Sequence, residues 1–248
     1  MKRFFPFITF LSISILFGAT APQYSVINVP APPTKFKNYQ IDGLTFLPNG
    51  KLVVCLPSGE IFFRDLKTEK WELFAEGLHN PLGVIALSND ELIITQRPEL
   101  TRVRDLDGDG KADQSEVLFT GFGTGDTHQN INSLTWSPGG ELFFCQGLHC
   151  FSRVQTPWGI ARLDEHGSWR LRPLRRQLHA YRRTSGGGNP WGYAFGDWGE
   201  AFIKSNGTGV SELLPSLVHT DHIGGGFWGG AMTIGKTKIK SMCIEIVD

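Results

Sequence analysis

The sequence predicts an all-β protein of the β-propeller type, built from four-stranded blades set around an axis. Three observations predict it. A pattern of strand, polar turn and strand recurs four times in one register. Thirty glycines and fourteen prolines in 248 residues supply the turns that many short strands need. No long stretch repeats its apolar residues at the 3.6-residue spacing of an amphipathic helix.

The four copies run over Gly43–Val54, Gly83–Ile94, Ser133–Phe144 and Gly192–Ile203. Leu44, Val84, Leu134 and Tyr193 are followed eight residues later by Leu52, Leu92, Leu142 and Ala201, with Gly50, Asp90, Gly140 and Gly199 in the turns. Successive copies start 40, 50 and 59 residues apart, a blade-sized period with room for inserted loops. A lone hairpin of this kind cannot bury its apolar face, whereas blades stacked side by side bury both faces. Further strands are expected at Glu60–Phe63 and Trp71–Phe74 in the first blade and at Glu116–Phe119 in the second. In the third they are expected at Gly159–Leu163 and Trp169–Leu171. After the glycine run 224–230, Ala231–Ile234 and Met242–Val247 read as a fifth blade cut off in mid-course. The expectation is therefore a domain over residues 41–248 holding four blades and part of a fifth. A complete ring would have six, so the chain reads as a fragment of a longer protein or one closed by a second chain.

Ahead of the repeats lie a signal peptide, residues 1–21, and a proline-rich leader or edge strand, residues 22–40. Lys2 and Arg3 precede an apolar run from Phe4 to Phe17, and Ala19-Thr20-Ala21 forms the cleavage pattern. The run is short for a membrane span, so the mature chain is expected to be secreted or periplasmic, without a span. A net charge of zero gives no electrostatic reason to bind nucleic acid, and Arg170, Arg172, Arg175, Arg176, Arg182 and Arg183 read as an exposed sheet edge. Of Cys55, Cys145, Cys150 and Cys243, in an oxidising compartment Cys145 and Cys150 either pair or stay as buried thiols, the latter in keeping with Cys55 and Cys145 falling at equivalent places in the repeat. No C-x-x-C-H haem attachment site is present.

The densest chemistry lies between Asp105 and Asn130. Asp105, Asp107, Asp109, Asp113 and Glu116 stand at positions 1, 3, 5, 9 and 12 of a twelve-residue calcium loop, with Gly110 at the sharp turn and Lys111 offering its carbonyl. Five crowded carboxylates repel one another unless a cation or solvent screens them, so calcium is the expected occupant. The flanking runs Leu100–Arg104 and Val117–Phe119 favour strands over the helices of an EF-hand. Two other clusters weigh less. His219-Thr220-Asp221-His222 reads as a surface loop before it reads as a metal site, and the run Gly224–Gly226 lacks the spacing of a dinucleotide site.

The run Asn189-Pro190-Trp191-Gly192-Tyr193-Ala194-Phe195, the acidic loop, and His128 followed by a strand and Pro138-Gly139-Gly140 together resemble the glucose/sorbosone dehydrogenase family. Within it, the chain is most similar to the propeller of large bacterial membrane-bound dehydrogenase proteins. The resemblance implies exported propellers, some of which use pyrroloquinoline quinone (PQQ) with calcium. It implies His128 as the general base that takes the proton of a substrate hydroxyl, with Asp126 to orient it and Asn130 and Asn189 as polar contacts to the cofactor. Neutral imidazole is a competent base near physiological pH. Such proteins often continue into a c-type cytochrome domain, which implies haem c beyond this chain and a cytochrome as electron acceptor. At position 188, where quinone-binding members carry arginine, this sequence has glycine. A guanidinium suits a tricarboxylated quinone, so Arg182 or Arg183 would have to replace it. Two readings follow. One is a sugar or alcohol dehydrogenase passing hydride to a quinone. The other is a calcium-stabilised propeller that binds a glycan or protein without catalysis.

Overall fold

The computed structural model describes residues 28–37, 39–126, 128–182, 189–205, 209–213 and 231–236. The chain divides into two units, Met1–Ala31 and Pro32–Asp248. The first has only residues 28–31 described, and the second holds every sheet. The described residues contain eighteen strands, no α-helix and one 3₁₀ turn at Pro173–Arg175. No helix among them is long and apolar enough to cross a membrane.

The first blade is β1 (Gly43–Phe46), β2 (Leu52–Cys55), β3 (Ile61–Arg64) and β4 (Trp71–Ala75), paired in that order. The second is β5 (Gly83–Ala86), β6 (Glu91–Gln96), β7 (Glu99–Arg104) and β8 (Gln114–Thr120). All pairings are antiparallel, as short connections require. The repeat register is visible in the ladders: Leu44 faces Val54 and Val84 faces Ile94. Gly50, Gly140 and Gly199 take φ of 87°, 73° and 84°, which explains the turn glycine in three of the four copies.

The third blade departs from the sequence-based expectation. It consists of β9 (Asn132–Trp136), β10 (Leu142–Gln146), β13 (Gly167–Arg172) and β14 (Gln177–Arg182). Gly159–Leu163, expected as its third strand, instead belongs to β12 (Gly159–Asp164), which pairs only with β11 (Phe151–Thr156). The two make a hairpin inserted between β10 and β13. Its inward residues Ser152, Val154 and Leu163 are fully buried, while Phe151 and Ile160 face solvent. Arg170 and Arg172 sit on an interior strand of this blade and pair with Glu141, so the arginine cluster is not a single exposed edge.

The fourth blade is β15 (Pro190–Phe195), β16 (Ala201–Ser205), β17 (Gly209–Leu213) and β18 (Ala231–Lys236). Ala231–Ile234 therefore closes this blade rather than opening a fifth, because β18 supplies the hydrogen-bond partner that β17 lacks. Met242–Val247, Cys243, Arg183, Gly188, the His219–His222 run, the glycine run 224–230 and the signal peptide lie outside the described residues.

The core runs between blades, as stacking requires. Val53, Cys55, Ile61, Phe63 and Phe74 of the first blade pack on Val84, Leu92, Ile94 and Val103 of the second. Leu100 and Phe119 of the second pack with Leu142, Phe144 and the fully buried Trp169 of the third. Phe143 and Cys145 of the third meet Tyr193 and Ile203 of the fourth. One polar hub is buried there. Gln146, 0% exposed, donates to the carbonyls of Cys150 (2.9 Å) and Glu165 (2.7 Å) and accepts from Ser152 (2.5 Å) and the indole of Trp169 (3.1 Å), so it ties the inserted hairpin to its blade.

Candidate functional site

The innermost strands β1, β5, β9 and β15 lie side by side, and their starting ends come close together. A Cβ on Gly43 would lie 3.0 Å from the Cα of Gly83, and one on Gly83 would lie 3.1 Å from the amide nitrogen of Ser133. Only glycine allows backbones to approach so closely. The segments leading into these strands therefore share one end of the axis, the mouth of the blade stack. They carry Asp42, Asn80, His128 to Asn130, and Asn189.

His128 lies in the connection between β8 and β9, four residues ahead of β9. Its Nδ1 is 3.0 Å from the Oδ1 of Asp126, whose carboxylate also accepts the His128 backbone N–H at 3.3 Å. Its ring stacks on Trp191 with centroids 5.7 Å apart and planes 9° from parallel, which joins the third blade to the fourth. The Asp126 contact holds a proton on Nδ1, so whenever the ring is neutral Nε2 is its acceptor. The ring is about half exposed, so a ligand from solvent can reach it.

Asn130 and Asn189, expected as cofactor contacts, stand at the same end; Asn130 is 1% exposed and Asn189 is partly buried. Arg97, in the β6–β7 turn, donates from Nη2 to the carbonyls of Thr124 (3.0 Å) and Asp126 (3.5 Å), and its Nε is buried without a partner. Asp42 is the residue that sequence reasoning missed. Burial pushes its carboxyl up to about 6, opposed by a side-chain hydrogen bond from Gln40 and by the charge of His128, and its Oδ2 is buried with no partner. A lone carboxylate ahead of the first repeat has no motif around it. Extending the repeat register a few residues upstream would have drawn attention to it.

The acidic loop lies elsewhere, at the β7–β8 turn. Asp105, Asp107 and Asp109 bring one carboxylate oxygen each within 4.8 Å of one another. The loop folds around its own carboxylates: Asp105 accepts from the amides of Gly108 (2.7 Å) and Gly110 (2.8 Å), Asp109 from Lys111 (2.8 Å), and Asp113 from Leu106 (2.7 Å). Gly110 takes φ of 85° to allow the turn. Glu116 stands apart on β8, ion-paired with Arg104 at 3.3 Å and Arg102 at 3.7 Å. The flanking elements are strands, which the apolar runs on either side predicted. Hard oxygen donors from three aspartates on one turn fit a calcium ion. The amide of Ala112 in this loop donates to the carbonyl of Phe74 on β4 at 2.8 Å, so a loop of the second blade is fastened to the first.

Cys55, Cys145 and Cys150 are buried, and Cys145 and Cys150 form no disulfide with one another. Burial raises the Cys55 and Cys150 thiols, and Cys150 donates to the carbonyl of Gln129 at 3.4 Å; both pack as small apolar groups.

No curated protein matches this chain. Among solved structures it is similar to a luciferin-regenerating enzyme, with a TM-score of 0.55 and 10% identity over 80% of this chain and 61% of that one. It is similar to a provisionally assigned gluconolactonase, at TM-score 0.52 and 16% identity over 80% and 63% of the two chains. It is also similar to the PQQ-bound form of an aldose sugar dehydrogenase from Streptomyces coelicolor, at TM-score 0.50 and 16% identity over 78% and 68%. The chain thus spans about 63% of the length of the gluconolactonase. At such identities the likeness shows a shared fold, a β-propeller, and leaves activity to the site. A profile described as a domain of unknown function, DUF7133, matches residues 62–223, well over half of the chain. With the blades and their register in place, the chain belongs to the DUF7133 family.

Proposed function

We propose that this chain is an exported propeller that binds a small hydroxylated molecule, a carbohydrate or an alcohol, at the mouth where His128 lies, with calcium holding the acidic loop. The observation that carries the reading is the His128–Trp191 stack with Asp126 behind it. An aromatic face offers a flat apolar surface to a sugar ring, and an imidazole of fixed tautomer offers Nε2 to a hydroxyl proton. Calorimetric titration with a panel of aldoses, polyols and alcohols tests it. Binding that survives Trp191→Ala and His128→Ala together overturns the reading.

A second reading, dehydrogenation with His128 as general base and a cytochrome as electron acceptor, is favoured by the 3.0 Å contact between Nδ1 and Asp126. PQQ does not fit the described mouth. A tricarboxylate needs cations, while the mouth presents the carboxylates of Asp42 and Asp126, and the Arg97 guanidinium already serves two backbone carbonyls. What the chain itself supplies to such a reaction is the acceptor nitrogen of His128 and its orientation by Asp126. A thermal shift with sugar and with PQQ separates the readings: stabilisation by sugar alone supports binding, and stabilisation by the quinone supports redox chemistry.

A further inference from the structure

The hairpin inserted in the third blade ends in a feature that its own folding does not require. Thr156 pairs with Gly159, so Pro157 and Trp158 form its two-residue turn. Such turns favour glycine, asparagine or aspartate. Trp158 makes one hydrogen bond there, from its indole N–H to the carbonyl of Arg175 at 3.0 Å, and stays 67% exposed. That bond sets the hairpin tip beside the 3₁₀ turn Pro173–Arg175, where Leu174 is 102% exposed and stands clear of the fold. Ile160, two residues past Trp158 on the outward face of β12, is 71% exposed. Three large apolar side chains are thus presented together, as knobs and not as the walls of a groove.

Positive charge gathers around them. From Phe151 to Arg182 the chain carries seven arginines against Asp164 and Glu165, a formal net of +5 in a protein whose total is zero. Arg153 and Arg162 share Asp164, and Arg170 and Arg172 lie on Glu141. Arg175 and Arg176, exposed at the turn itself, have no carboxylate partner among the described residues, and Arg176 donates to the carbonyl of Leu118 at 3.3 Å. The patch also has a direction. β9 starts at the mouth, β10 returns to it, and β13 runs away from it, with Gly167 opposite Gln146 at the near end and Arg172 opposite Gln177 just before the turn. Pro173–Arg175 and the hairpin tip therefore lie at the end of the blade opposite the mouth. The acidic β7–β8 turn points away from the mouth too, but the bond of Ala112 to Phe74 fastens it toward the first blade and not toward the third.

We propose that this tip docks the protein on an anionic lipid surface, with Trp158, Ile160 and Leu174 entering the interfacial layer and Arg175 and Arg176 on the headgroups. Protruding apolar side chains suit insertion into lipid, tryptophan favours the boundary between apolar and wet layers, and each arginine near an anionic surface adds to the binding. The mouth then faces away from the lipid and stays open to solvent. This docking is independent of what the mouth binds.

Co-sedimentation with vesicles tests the proposal. It is run in chelator and alongside the triple loop variant Asp105→Asn, Asp107→Asn and Asp109→Asn, so that no calcium bridge between aspartates and lipid is mistaken for docking. Both proteins should bind vesicles containing phosphatidylglycerol at least about tenfold more tightly than vesicles of phosphatidylcholine alone. Ile160→Ser with Leu174→Ser, both at exposed positions, should weaken that binding at least about tenfold, and Arg175→Gln about fivefold. Brominated lipid should quench the emission of the bound protein, and Trp158→Phe should remove that quenching while keeping most of the binding, a result that misfolding cannot produce. No binding, equal binding to both lipids, or binding unmoved by the serine pair overturns the proposal. So does a dimer in solution that the serine pair dissociates, which would give the tip to a second copy of this chain.

Discussion

Removing the charge of Asp42 without changing its shape is the sharpest probe of the mouth. In the folded chain its carboxyl is raised from 3.8 to about 6. A difference of about two pH units corresponds to about 3 kcal/mol if the group were wholly enclosed, and its partial exposure to water reduces this to about 1–2 kcal/mol. The sign follows from proton affinity. The folded state holds the proton more tightly than the unfolded chain, so the stabilisation is fully present below about pH 4 and is lost as pH rises through about 6. Asp42→Asn has no such proton. Melted in chelator, wild type and variant should diverge between pH 4 and 7, the variant ending higher by about 2–8 °C at pH 7.5, at about 2–4 °C per kcal/mol for a chain of this size. A difference that stays constant from pH 4 to 7.5 would refute the reasoning.

Other predictions test the loop and the core. Chelation should lower the melting temperature of wild type and leave the triple loop variant nearly unchanged, and the binding of sugar at the mouth should persist in that variant by calorimetry. Gln146→Leu strands the indole N–H of Trp169 and the carbonyl of Glu165, which should cost about 3 kcal/mol in urea denaturation; a loss below about 1 kcal/mol would show that the hub is not a hub. Gly83→Ala forces a Cβ to 2.8 Å from Thr95 Oγ1 and 3.1 Å from the amide of Ser133, and should destabilise by about 1–3 kcal/mol in the same assay.

The four hairpins were legible because their pattern combines period-2 apolar alternation with a turn that needs a positive-φ residue, and Gly50, Gly140 and Gly199 mark that turn. The alternation of Phe151–Thr156 and Gly159–Asp164 is just as regular, and nothing local says that these strands pair with each other outside the blade. That choice is made by tertiary contacts, among them Gln146 beneath the hairpin. The position of Ala231–Ile234 was hidden for a different reason. Strand order within a blade depends on which edge lacks a partner, and a long glycine-rich connection hides which edge that is. His128 was singled out by the family resemblance, and the role proposed for it waits on the binding experiment. Asp42 became visible only when the fold buried one of its oxygens without a donor.

The bond from Ala112 to the carbonyl of Phe74 crosses from one blade to the next at the fourth strand of the first blade. Its amide proton cannot exchange with deuterium until the two blades separate or the loop releases. Its exchange rate, followed with and without calcium, would therefore time the parting of neighbouring blades at a single atom.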